Sequence, residues 1–230
     1  MKSHIISHEK LEQLAQRMNA EVDWNELNLP PKQITLLHQI TDHLKQNHRI
    51  RDHVKHHHPK NEHAMHSHRL VEGFDVPDHL KKGEGVCALF SGKNGSGKML
   101  AAQVIANELN LDLFRIDLST VVGKFIGATE KNLDRIFDAA DECGSILIFD
   151  EVTALFGRRS SIHDVRDRYA NTSITHLLQR IESYHGLVII MTKSKDSLGH
   201  IFKKRIQFFV KFPVPGLVLG KIFRKRFSEK

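Results

Sequence analysis

The stretch GVCALFSGKNGSGK, Gly85 to Lys98, runs from an apolar strand pattern into a glycine-rich turn and then into helix-forming sequence. Val86–Phe90 contains no charged or hydroxyl side chain, as expected of a strand buried on both faces of a parallel sheet. Gly92-Lys93-Asn94-Gly95-Ser96-Gly97-Lys98 has the GxxxxGK spacing. Its glycines let backbone N–H groups converge on a phosphate, a following helix N-terminus adds its dipole, and Lys98 supplies a point charge. A glycine-rich turn between any strand and helix can look the same, so the rest of the chain decides.

The deciding partner lies about fifty residues on. A second apolar run, Ile146-Leu147-Ile148-Phe149, ends in Asp150-Glu151. Acids at the carboxyl end of a parallel strand share the sheet edge where α/β proteins bind ligands. Asp150 is positioned to organise the hydration shell of Mg²⁺, and Glu151 to polarise a water attacking a γ-phosphate. A helix cap with first-turn charge would use the same two acids, but the phosphate loop upstream favours a nucleotide site.

Between and after these runs the texture repeats. Leu113–Ile116, Leu187–Met191 and Gln207–Phe212 read as further strands, and Met99–Leu109, Glu130–Glu142 and Ala170–Tyr184 as intervening helices. Alternation of this kind gives right-handed βαβ units and a three-layer α/β sheet. Upstream, Leu11, Leu14, Ala15 and Met18 have the spacing of an amphipathic helix over residues 3–20. A second helix opens at Pro31 and places Ile34, Leu37, Ile40 and Leu44 on one face.

Composition removes several function classes. The 230 residues are 40% hydrophobic and 27% charged, which suits a globular chain and not a disordered one. No apolar run approaches the ~18 residues of a membrane span, and no apolar signal core follows Met1, so the cytoplasm is the expected location. The net charge of +7 is local: Lys203–Lys230 holds nine bases against Glu229, leaving 25 bases and 26 acids in the body. The basic tail is therefore read as solvated, and no nucleic-acid partner is expected. Cys87 and Cys143 fit neither a disulfide framework nor a metal spacing and read as small buried apolar residues. Residues 38–68 carry ten of the seventeen histidines. Without acid or Cys partners at a regular spacing, they read as a solvated connection rather than a metal site.

With these motifs in order, Gly85–Phe212 resembles the large domain of AAA ATPases, particularly the bacterial stand-alone members with one ATPase module. GVCALFSGKNGSGK resembles the family's first strand and Walker A loop, and ILIFDEVTALFGRR its Walker B segment. KFIGATEKNLDRIF resembles the pore-loop segment, with Phe125-Ile126-Gly127 at its aromatic–hydrophobic–glycine position. DRYANTSITHLLQRIESYHG and FKKRIQFFVKFPVP resemble the stretches flanking the fourth strand, and Trp24…Pro30 with Gly73-Phe74 the linker into the module.

The resemblance implies a P-loop NTPase sheet of parallel strands in the order 5-1-4-3-2. It implies ATP and Mg²⁺ as cofactors, a homo-oligomeric ring, and a protein substrate gripped by Phe125 and remodelled or unfolded by ATP hydrolysis. Glu151 would be the water-activating base, Asp150 the metal organiser and Arg205 the charge offered to a neighbouring subunit's site. Residues 1–70 would form a helical segment and His-rich linker, 71–215 the ATPase large domain, and 216–230 a basic tail beginning an incomplete helical lid.

Three positions depart from the family pattern. Met99 stands where Walker A has Thr or Ser, and a thioether is a poor ligand for a hard cation. Lys193 stands where the fourth strand normally presents Asn; Lys donates hydrogen bonds but accepts none. Lys204 precedes Arg205 where two adjacent arginines are usual, and lacks the planar fork that grips phosphate. These departures carry the alternative reading, a degenerate relative that binds nucleotide as a structural or regulatory ligand with little hydrolysis.

Overall fold

The computed structural model describes residues 8–9, 11–56, 85–121, 127–150, 152, 165–193, 202 and 204–213. Phe125 and Glu151 lie outside these residues, as do 57–84 with five of the ten histidines of the His-rich stretch, and the tail from 214.

The elements are β1 (Gln16–Met18), α1 (Pro31–His56), β2 (Val86–Ser91), α2 (Lys98–Leu109), β3 (Leu113–Asp117), a short α3 (Leu118–Val121) and α4 (Ala128–Cys143). They continue with β4 (Ile146–Asp150), α5 (Val165–Ser183), β5 (Leu187–Thr192) and β6 (Phe208–Lys211). Five strands pair in parallel in the order β6-β2-β5-β4-β3. Counted from the strand before the glycine-rich loop, this is the expected 5-1-4-3-2. The sheet is nevertheless mixed, because β1 adds antiparallel to β3. That corrects the helix expected over residues 3–20. Helical backbone ends before Ala15, whose N–H bonds to the Leu11 carbonyl at 2.8 Å, and Gln16–Met18 then pairs with Arg115–Leu113. An unpaired sheet edge offers hydrogen bonds to a neighbouring extended segment, and this outweighs a weak local helical pattern.

Strand parity sorts the core into two clusters. Val86, Ala88, Phe90, Leu113, Ile146, Ile148, Leu187, Ile189 and Met191 face one side, where they pack with α2 and with Leu37, Ile40 and Leu44 of α1. Their neighbours along the strands, including Leu89, Ile116, Phe149 and Ile190, face α4 and α5. Ala101, Ala102 and Ala106 keep the buried face of α2 thin, so its backbone lies close to the sheet. On the other side α4 and α5 are joined by a polar ladder at helical spacing. Ser173 donates to Glu130 (2.7 Å), His176 pairs with Asp134 (2.9 Å) and Arg180 with Asp138 (2.5 Å).

Between β1 and α1 the chain is laid along α2. Gln103 donates to the Asn19 carbonyl (2.6 Å) and Asn107 to that of Val22 (3.1 Å). Trp24, the only tryptophan, stacks on His38 of α1 with centroids 3.9 Å apart and donates its indole N–H to Glu108 of α2. Lys45 of α1 also pairs with Glu108. One carboxylate thus holds arm, α1 and α2 together. Among the described residues no helix is long and apolar enough to cross a membrane, and no group of three or more His, Cys, Asp or Glu could hold a metal ion.

The Glu108 carboxyl is held below the usual glutamate range, first by the Lys45 hydrogen bond and also by that of Trp24. A depressed folded-state value gives stabilisation that is present above the unfolded glutamate range and lost as pH falls through the folded value. Trp24 emission is therefore expected to shift to the red on acidification before the backbone circular dichroism changes, and Glu108→Gln should remove that early step. A single transition seen by both probes in both proteins would exclude the clasp as a separate unit.

Burial pushes the Cys87 thiol in β2 up to about 12, whereas Cys143 at the end of α4 is only half-buried. A thiol reagent applied to the native chain near neutral pH should modify Cys143 and reach Cys87 only after denaturation. Peptide mapping by mass spectrometry distinguishes this from equal labelling, which would place β2 outside the sheet.

Candidate functional site

Side chains alternate along a strand, so each parallel strand delivers every second residue to the α2 side of the sheet. Continued to the carboxyl edge, the parity that turns Leu113 inward turns Arg115 and Asp117 the same way. Likewise Ile148 leads to Asp150, and Ile189 leads to Met191 and Lys193. Register completes the arrangement: Asp117 stands opposite Asp150, and Asp150 opposite Met191. The loop after β2 closes the space, giving a cavity of about 650 Å³ whose wall includes Gly95–Met99, Arg115, Asp117, Asp150 and Met191. Met18 of β1 lines it too.

The loop is built to hold an anion. Gly97 is the N-cap of α2 with φ 91° and offers no capping side chain, so the first N–H groups of the helix have no intrahelical partner. At Gly92 an added Cβ would stand 2.9 Å from the Phe212 carbonyl oxygen and 2.7 Å from Ser96 Oγ, so only glycine lets the loop pass so close to the end of β6. Ser96 is buried, and its Oγ has no hydrogen-bond partner among the described residues. Such an orphan at the base of an anion-shaped loop fits a phosphate chain. Lys93 and Asn94 are exposed on the loop's outer turn. Lys98 Nζ donates to the loop's own carbonyls, Gly92 O at 2.5 Å and Lys93 O at 2.9 Å. Its pKa is lowered by burial, raised in opposition by the Asp150 charge, and lowered further by Lys193. Lys98, Lys193 and Asp150 therefore share one electrostatic site.

Asp150 has a partner absent from the sequence reading. Arg115 Nη2 donates to Asp150 Oδ2 at 2.6 Å and Nε to the same oxygen at 3.1 Å. With 40% and 25% of the two side chains exposed, the pair is worth on the order of 1 kcal/mol. A competing phosphate oxygen can open it. The available signal was an arginine inside the otherwise apolar LFRI run, followed by an acid at the strand end. Carboxylate oxygens of Asp117 and Asp150 on one wall are a donor set of the right hardness for a hydrated Mg²⁺; the Met99 thioether adds no ligand.

Arg205 is elsewhere. Gln207 bonds to the Cys87 carbonyl, which puts Arg205 beside the amino end of β2, roughly the 20 Å length of a six-residue strand from the loop. There it pairs with Glu182 at the end of α5. The structure brings Gly92–Met99, Asp150 and Lys193 together and leaves Arg205 out of the chain's own cavity.

Comparison with known proteins agrees with this geometry. Residues 88–214, more than half the chain, match the ATPase family associated with various cellular activities (AAA). An uncharacterized AAA family ATPase, y4kL, from Sinorhizobium fredii is 31% identical over 146 residues, covering 61% of this chain and 43% of its own. A probable 26S proteasome regulatory subunit 10B from Caenorhabditis elegans is 32% identical over 117 residues (49% and 29%). A proteasome-activating nucleotidase from Methanopyrus kandleri is 31% identical over 134 residues (55% and 31%). The chain spans less than half the length of each of these relatives. At the level of the family, nucleotide binding is implied, usually of ATP with Mg²⁺. A parallel five-strand order around a glycine-rich loop, acids on the adjoining strand ends and a match across that whole region lead to one assignment: the chain belongs to the AAA family of ATPases.

Proposed function

We propose that this chain is an ATP-binding AAA module that hydrolyses ATP to remodel or unfold a protein partner. The observation that carries the reading is the cavity in which the Gly92–Lys98 loop faces Asp150 and Asp117. Loop N–H groups and Lys98 would hold the β- and γ-phosphates. Asp150 and Asp117 would hold Mg²⁺, which when bound neutralises developing phosphate charge. Glu151, next after β4, would accept the proton of the attacking water. Arg205, at the far end of β2, can serve only another subunit's cavity, which supports a homo-oligomeric ring. Phe125 would grip the protein substrate, a role that rests on the family resemblance alone.

A second reading is favoured by specific residues: Met99 supplies no metal ligand, Lys193 accepts no hydrogen bond from water, and Arg115 occupies Asp150. On that reading the chain binds nucleotide as a regulatory ligand and turns it over slowly. Phosphate release at saturating ATP separates the two.

Lys98→Ala should weaken ATP binding at least about thirtyfold, the effect of the ~2 kcal/mol lost on truncating one side of a charged contact. The fold should be retained, because the side chain sits at the junction of loop and helix and not in either core cluster. Unchanged affinity by titration calorimetry would remove the phosphate-loop assignment. Glu151→Gln should leave ATP affinity intact and slow phosphate release at least about a hundredfold; equal release would make Glu151 a helix-capping acid.

A further inference from the structure

We infer that the nucleotide's phosphates are held at this site without Mg²⁺, their charge being met by Arg115 together with Lys98 and Lys193. The inference rests on reading the Gly92–Lys98 loop as the nucleotide site, and concerns how that site balances charge. Three observations carry it.

First, the cavity wall holds more side-chain cation than the loop alone supplies. Arg115 lines it beside Lys98, and the parity of β5 that brings Met191 to the wall turns Lys193 to the same side, where its charge lowers Lys98. Second, among the described residues Arg115 is engaged only through one oxygen of Asp150. A guanidinium carries five N–H donors in a planar fork, and those of Arg115 beyond the two on Asp150 have no partner among the described residues. They sit at a cavity that the orphan Ser96 Oγ and the uncapped α2 N-terminus already mark for oxyanions. Third, Met99 contributes a thioether where a hydroxyl would join Asp150 around the ion, and Asp150 spends part of its charge on Arg115. Both features weaken the protein's hold on a metal while leaving its hold on phosphate. A planar guanidinium matches phosphate oxygens in geometry as well as charge. Binding and turnover are thereby separated: metal-free ATP or ADP is retained, and Mg²⁺ matters only for the chemical step.

The test is calorimetric titration of the full chain with ATP, in excess Mg²⁺ and in excess EDTA, for the wild type, Arg115→Ala and Arg115→Lys. Thermal melts alongside confirm that each variant is folded. Wild-type affinity should change less than about threefold between the two conditions. Arg115→Ala loses a charge-assisted contact and frees Asp150, so its affinity in EDTA should fall by about tenfold or more and recover largely in Mg²⁺. Arg115→Lys keeps the charge and should keep the metal indifference, even where it fails to reproduce the fork. A wild type that loses tenfold or more in EDTA overturns the inference. So does an Arg115→Ala protein weakened equally in both conditions, which would make Arg115 merely a structural partner of Asp150. ATP bound by the wild type in neither condition overturns the phosphate-loop reading itself, and the inference with it.

Discussion

Everything at the carboxyl edge of this sheet depends on parallel strand pairing in one register. A slip of β4 by a single residue against β3 would turn Asp150 away from the loop and bring Phe149 to the cavity, because side chains alternate with a period of two. The pairing is fixed by burial on both faces: Leu147 and Phe149 are anchored against α4 and α5, while Ile146 and Ile148 are anchored against α2. A slip would move both sets of side chains out of their packed clusters, and it would also turn the strand-end carboxylate toward the α4 and α5 side. The acid at the strand end is thus a register mark as well as part of the cavity wall.

The same constraint explains what was legible from sequence. The phosphate loop, Lys98 and Asp150 could be read because each is tied to a strand end by adjacent residues in the chain. The strand order was readable from family resemblance, and the structure reproduces it. Arg115 was not readable as a site residue, since its partner is 35 positions away and only the pairing of β3 with β4 brings them together. The strand β1 departs from its local pattern for a related reason. Leu11, Leu14, Ala15 and Met18 keep helical spacing, and the first part of the segment obeys it. Gln16–Met18 follows the hydrogen-bonding edge of β3 instead. Local pattern describes a segment in isolation; here a tertiary neighbour decides.

Phosphate-loop helices must present their first turn to a ligand, so they cannot be stabilised there by a capping side chain. In this chain the stabilisation comes from elsewhere along the same helix. Small residues seat α2 against the sheet, and its exposed side is held by the arm through Gln103, Asn107 and Glu108. The end that faces the cavity is left open because the rest is well tied. Residues that never meet nucleotide therefore contribute to the stiffness of the site, and their effects on affinity would arise through the helix and not through contact.

The short strand at the amino end has a further meaning for how the molecule behaves among its neighbours. β1 has only three residues, two of them exposed, and Arg17 is tied to Asp112. It occupies the edge that the five-residue β3 would otherwise present to any extended chain. A brief, charged terminator of this kind stops the sheet from growing between molecules, so the protein guards itself against aggregation with its own leading segment. Because Met18 of that terminator also forms part of the cavity wall, stripping the segment away would expose a sticky edge and breach the ligand chamber in one event. Colloidal behaviour and ligand retention are therefore two readouts of a single three-residue pairing.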